Sequence, residues 1–144
     1  MGAAALIHKT REIIMPSPVN VSLDVRNAGT GPAPGYTQVT ASNGSTYYYK
    51  YTGGSDGNGN VNVKVGAGQA AINVTAGSDP RYSITNITFS PPSTHFTWQA
   101  GGHANVAVIH DSAAVVESVK YTTVVTDSTA NCTIPCDPMI HNVP

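Results

Sequence analysis

The chain has 144 residues, enough for one domain built round one core. Only 10% of them are charged and the net charge is -1, which excludes the clustered basic face that nucleic acid requires. No apolar stretch approaches the ~18 residues of a membrane span, so no membrane association is expected. A surface so poor in charge must be covered by Ser, Thr, Asn and Gly, a composition that suits β-structure and leaves little repulsion between copies.

The segment 1–15 (MGAAALIHKTREIIM) places its apolar run before its charges, the reverse of a secretory signal. It reads as a disordered N-terminal extension, with a single domain over 16–144. With no usable signal peptide, the chain is expected in the cytoplasm.

From Val19 onward, period-two alternation dominates. Val19, Val21, Leu23 and Val25 alternate with polar residues, the pattern of a half-buried strand. A turn-rich stretch from Asn27 to Gly35 leads to a second strand over Tyr36–Ala41. Ser42-Asn43-Gly44 is a strong hairpin signal, and a tyrosine-rich strand follows from Thr46 to Thr52. Gly53–Asn60 is a loop, and Val61, Val63 and Val65 mark the next strand. Further strands are expected over Ala70–Thr75, Tyr82–Phe89, around Phe96 and Trp98, over Ala104–His110 with Val106 and Val108 on one face, and over Val115–Thr126. Cys132–Ile140 is a last extended segment. Tyr82–Phe89 reads as apolar on both sides, because Ile87 breaks the parity of Tyr82 and Ile84. Short strands at regular spacing, separated by turn residues, predict an all-β fold: a two-sheet antiparallel immunoglobulin-like β-sandwich of about nine strands.

The most chemically varied segment is Cys132-Thr-Ile-Pro-Cys136-Asp137-Pro138-Met139-Ile140-His141. A copper-type site built from Cys136, His141 and an upstream histidine such as His103 is one alternative, since blue-copper centres combine two His, one Cys and an axial Met on small β-sandwiches. The order is against it, because Met139 lies between Cys136 and His141 rather than after them. Four residues of extended chain span ~13 Å, so Cys132 and Cys136 could join only across a tight turn; two free, buried thiols are expected. Asp137-Pro138 is acid-labile chemistry, so self-processing there is a second alternative, set against the ordinary role of Asp-Pro in a turn. Asp56, Asn58, Asn60 and Asn62 resemble the start of a calcium loop, but Val61 and Ala67 stand where the EF-hand needs Gly and Glu.

Hydrolytic machinery is absent from the pattern. There is no Gly-X-Ser-X-Gly elbow, and neighbouring His110-Asp111-Ser112 on a strand cannot converge. No enzyme activity and no cofactor are expected. Tyr47, Tyr49 and Tyr51 share one face of their strand, either as core or as an aromatic platform for a ligand or a partner subunit.

Phe96-Thr-Trp98, Gly101-Gly102, the Tyr121–Asp127 strand and the ending Cys136-Asp137-Pro138-Met139-Ile140-His141-Asn142 resemble the DP-EP family of small bacterial proteins. The same ending is similar to that of AidA/PixA-type inclusion-body proteins. The resemblance covers residues 85–143 and implies an immunoglobulin-like sandwich with no assigned catalytic residues. The functional expectation is a non-enzymatic protein that acts through self-association, as a homo-oligomer, or through a protein partner.

Overall fold

The computed structural model describes residues 18–27, 34–77 and 79–144. The extension expected over 1–15 lies outside the described residues. Eleven strands follow in order: β1 (Val19–Asn27), β2 (Thr37–Thr40), β3 (Thr46–Gly53), β4 (Val61–Lys64), β5 (Ala70–Ala76), β6 (Tyr82–Ser90), β7 (Phe96–Ala100), β8 (Val106–Asp111), β9 (Glu117–Asp127), β10 (Cys132–Cys136) and β11 (Met139–Val143). They form the two facing sheets of a β-sandwich.

The first sheet has the order β2-β3-β1-β5-β8-β7. In the second, β9 carries β6 on one flank and both β10 and β11 on the other. Thr123 shows this directly, since it pairs with Ile87 of β6 and with Cys136 of β10. Lys120 likewise pairs with Ser90 and with Met139. The last expected segment thus follows a single course along β9, but it is broken at Asp137-Pro138 into two strands. The Tyr121 N–H bridges the break by donating to Pro138 O at 2.9 Å. β4 completes the second sheet outside β11.

Two features correct the expectation of an all-antiparallel sandwich of about nine strands. β1 pairs with β5 in parallel, and β11 pairs with β4 in parallel, so both sheets are mixed. Pairings between strands distant in sequence leave no local signal, because periodicity reports which way side chains point and not which strand lies alongside.

The core follows the alternation closely. Val21, Leu23 and Val25 of β1, Ile72 and Val74 of β5, and Val119, Tyr121 and Val125 of β9 are all buried. In β8, Val106 and Val108 share a face as expected, and that face is the outer one, half-buried, while Ala107 and Ile109 face the core. In β6, Thr85 is an extra residue between Ile84, opposite Val125, and Asn86, opposite Val124. This bulge shifts the parity by one, so Tyr82, Ile84 and Ile87 all point inward. The strand that reads as apolar on both sides is apolar on one side and bulged. The hairpin at Asn43-Gly44 forms as expected. Gly44 has φ +85°, and the Ala41 N–H donates to Ser45 O at 2.8 Å.

Gly59 is among the loop glycines under a tight steric limit. It has φ +87°, and a Cβ there would lie 2.5 Å from Tyr51 Cβ. Gly57, with φ +79°, has open space around it. Gly59→Ala is therefore expected to destabilise the fold by about 1–3 kcal/mol through overpacking, added to the left-handed backbone strain of ~1 kcal/mol that is all Gly57→Ala should incur. Urea unfolding midpoints of the two variants compare them directly.

Candidate functional site

The tyrosine face points into the sandwich. Tyr47, Tyr49 and Tyr51 are 2%, 8% and 6% exposed, so they do not form a surface platform. Each phenol instead reaches the second sheet. Tyr47 donates to Asp127 Oδ2 at 2.6 Å and lies 3.2 Å from Cys132 Sγ. The Tyr51 hydroxyl lies 2.9 Å from both Thr123 Oγ1 and Cys136 O. The Tyr49 hydroxyl accepts from the Asp137 N–H at 3.3 Å. A long amphipathic side chain suits this role, because the ring fills the core while the hydroxyl crosses to the facing sheet.

Asp127, at the end of β9, is fully buried and accepts the Tyr47 bond within a set of its own partners. The Arg81 guanidinium donates to both of its oxygens, at 3.0 Å and 2.6 Å. The N–H groups of Thr129 and Ala130 add bonds of 3.0 Å and 3.3 Å to Oδ1. Desolvation, the largest single influence on Asp127, pushes its pKa up; the Arg81, Tyr47 and backbone bonds together outweigh it and hold the carboxyl at about 2. Desolvation and the Asp127 bond raise the Tyr47 pKa in turn.

The C-terminal candidates are not brought together. Cys136 lies in the core opposite Thr123, and burial, then the neighbouring Asp137 charge, raises its thiol pKa. His141 is on the other face of its strand, with Nδ1 2.9 Å from Ser118 Oγ. His103 is exposed in the turn between β7 and β8. Among the described residues, no group of three or more His, Cys, Asp or Glu side chains could hold a metal ion. Cys132 and Cys136 are both buried and free. At the β10–β11 break, Asp137 accepts from Thr122 Oγ1 at 2.7 Å and lies 3.6 Å from Lys120 Nζ. In the 53–60 loop, Asp56 accepts from the Asn58 and Asn60 N–H groups and from Asn60 Nδ2, so its carboxylate is engaged by the loop itself.

On the outer face of the first sheet, Ser22, Asp24, Tyr36, Lys50, Thr52 and Asn105 line an open groove of about 490 Å³. Its carboxylate is already engaged: Arg26 Nε, outside the groove, lies 3.1 Å from Asp24 Oδ2, Tyr36 donates to the same oxygen, and the Arg26 guanidinium sits 4.7 Å from the Tyr36 ring centre.

The margins of the sheets differ in how they are protected. β10 carries Pro135, β4 carries Lys64 and β6 carries the Thr85 bulge, three devices that discourage pairing with another chain. β2, the first sheet's other margin, has none of them, and neither does β7. Its sequence, Phe-Thr-Trp-Gln-Ala, is uncharged, and among the described residues no strand pairs with its outer edge. Phe96 anchors it in the core by stacking on Phe89, with ring centres 5.5 Å apart. Thr97 and Gln99 are exposed. His95 precedes β7 and bonds Glu117 Oε2 at 2.8 Å, which ties this margin to the connection that carries Val115 and Val116. These two valines are 42% and 62% exposed.

No family model matches the chain, and no curated protein matches it. Among solved structures, the chain is similar to an inclusion body protein, PixA, from Burkholderia cenocepacia J2315. The two share 12% identity over 88% of this chain and 93% of that one, with a TM-score of 0.36. Among the described residues, no helix is long and apolar enough to cross a membrane.

The Asp127 network sets an acid limit on stability. A carboxyl held below its unfolded value contributes stability that is complete above about pH 4 and lost as the pH falls towards 2, an effect of about 2 kcal/mol. Asp127→Asn is expected to lower stability at neutral pH and to flatten this acid-side loss. Thermal unfolding between about pH 2 and pH 7 would show both effects.

Proposed function

We propose that the chain is a non-enzymatic, immunoglobulin-like β-sandwich that acts by self-association, a second copy pairing along the free edge of β7. The observation that carries this reading is the uncharged, unblocked β7 edge beside exposed Val115 and Val116. An edge strand presents a row of outward N–H and C=O groups that another strand can satisfy. Two identical edges meeting antiparallel satisfy each other about a two-fold axis, the commonest symmetry of homo-oligomers. The first sheets of the two copies would then run on as one continuous sheet. The low charge supports the reading, since few like charges oppose the approach of a second copy. A non-enzymatic role is consistent with the internal engagement of the Tyr, Cys and Asp127 groups, which bond one another across the core.

The test is a light-scattering or sedimentation series over concentration. The wild-type chain is expected to gain mass as concentration rises. Thr97→Lys with Gln99→Lys should remain monomeric at every concentration, because the added charges would be opposed across the two-fold axis. Both positions are exposed, so thermal stability should change by no more than ~0.5 kcal/mol for each substitution. A wild-type chain that stays monomeric throughout, or a double variant that associates as well as wild type, would overturn the reading.

A further inference from the structure

At the end of β8, Asp111 is fully buried, and Asn142 of β11 faces it from the other sheet at 2% exposure. Asn142 Nδ2 donates to Asp111 Oδ1 at 3.0 Å. The Ala113 N–H donates to the same oxygen at 2.8 Å. The backbone enters the left-handed region at Ala113, φ +52°, a conformation that a non-glycine residue adopts at some cost. Both donors therefore converge on Oδ1, while Asp111 Oδ2 and Asn142 Oδ1 are buried with no partner among the described residues.

This asymmetry is informative. A buried carboxylate shares its charge over both oxygens, and leaving one of them without a donor forfeits several kcal/mol of solvation. In a neutral carboxylic acid the two oxygens differ: the carbonyl oxygen accepts, and the hydroxyl oxygen donates. Asp111 shows that division. Its remaining oxygen needs an acceptor, and the amide already joined to it has an acceptor oxygen left over.

We propose that Asp111 is a proton-binding site: a proton on Oδ2 bridges to Asn142 Oδ1, and the resulting reciprocal acid–amide pair latches β8 to β11 across the two sheets. The charged surroundings favour this state. Burial is the largest influence raising the Asp111 pKa, and the Glu117 charge raises it further, while the Asn142 and Ala113 bonds and His95 act the other way. Ala70 of β5 and Phe96 of β7, the Cα partners of Asp111 in its sheet, carry no charge. On β11, His141 faces outward to Ser118, and Lys64 of β4 is exposed. Among the described residues no cation bonds Asp111, in contrast to Asp127 with Arg81. When the proton leaves, an anionic Oδ2 is set beside the Asn142 carbonyl oxygen and the latch opens. β11 is the strand on which β4 is paired, so β4 loses support with it.

The sign follows from linkage. A carboxyl raised above its unfolded value of about 3.9 contributes stability that is complete below that pH and lost as the pH rises through its folded value. The experiment is thermal unfolding of the full chain between about pH 4 and pH 8, wild type beside Asp111→Asn. The variant keeps a neutral donor towards Asn142 Oδ1 and two acceptor contacts, so it mimics the protonated latch. Wild type is expected to lose melting temperature relative to the variant as the pH rises. Asp127 acts below this window and is common to both chains.

Parallel pH curves for the two chains would overturn the proposal. So would stabilisation of wild type alone by added sodium, potassium or calcium chloride, which would place a cation between the two oxygens. Should Asp111→Asn fail to fold, infrared spectra of the wild-type chain carrying carboxyl-13C aspartate decide the matter. A protonated-acid carbonyl band persisting at about pH 5, above the ordinary carboxylate range, supports the proposal, and its absence refutes it.

Discussion

A strand that forms one wall of a sandwich sends every second side chain inward, and almost everything in this molecule follows from keeping that parity. Val119, Tyr121, Thr123, Val125 and Asp127 of β9 occupy the inward positions in unbroken succession. β8 does the same with Ala107, Ile109 and Asp111, and β11 with Ile140 and Asn142. Parity carries a polar residue inward as readily as an apolar one, so both buried acids arise where an inward series reaches the end of its strand. Where the residues themselves break step, the backbone adjusts: the Thr85 bulge in β6 returns Ile87 to the core.

Interior polar groups then need partners, and here the partners join the sheets. Tyr47 to Asp127, Tyr51 to Thr123 and Asn142 to Asp111 each link a residue of the first sheet to one of the second. Hydrophobic burial holds two sheets together without fixing their register, whereas a directional bond between named atoms specifies it. The two acids solve the same problem in opposite ways. Asp127 has a guanidinium, a phenol and two backbone N–H groups around it, so the anion is better solvated in the protein than desolvation alone would allow. Asp111 has two donors on one oxygen, none on the other and no cation, so desolvation prevails.

Much of this was legible in the residues. Period two placed the strands, Asn43-Gly44 placed a hairpin, and the shared parity of Tyr47, Tyr49 and Tyr51 left a choice between core and platform. Burial of all three decides it for the core, and the deciding information, that Asp127 and Thr123 wait on the facing sheet, is not local to β3. The buried acids could have been found by extending the inward series of β8 and β9 by one more alternate residue. Motif spacing points instead to Cys136, His141 and His103, which are close in sequence or chemistry but diverge in space. The parallel pairings β1–β5 and β4–β11 were beyond reach for the same reason: they join segments tens of residues apart.

The distribution of edge devices bears on both the surface and the interior. Pro135, Lys64 and the Thr85 bulge fall on strands of the second sheet, while both margins of the first sheet, β2 and β7, are left without charge or proline. A sequence with so few charges to place still put one on β4, so the bare β7 edge is not forced by composition alone. Behind that edge, Phe96 is the Cα partner of Asp111. The residue that anchors β7 in the core and the acid facing Asn142 therefore occupy one rung of the β7–β8 ladder. The rung thus sets a buried carboxyl beside the residue that roots an exposed edge, while the bonds at each remain chemically separate.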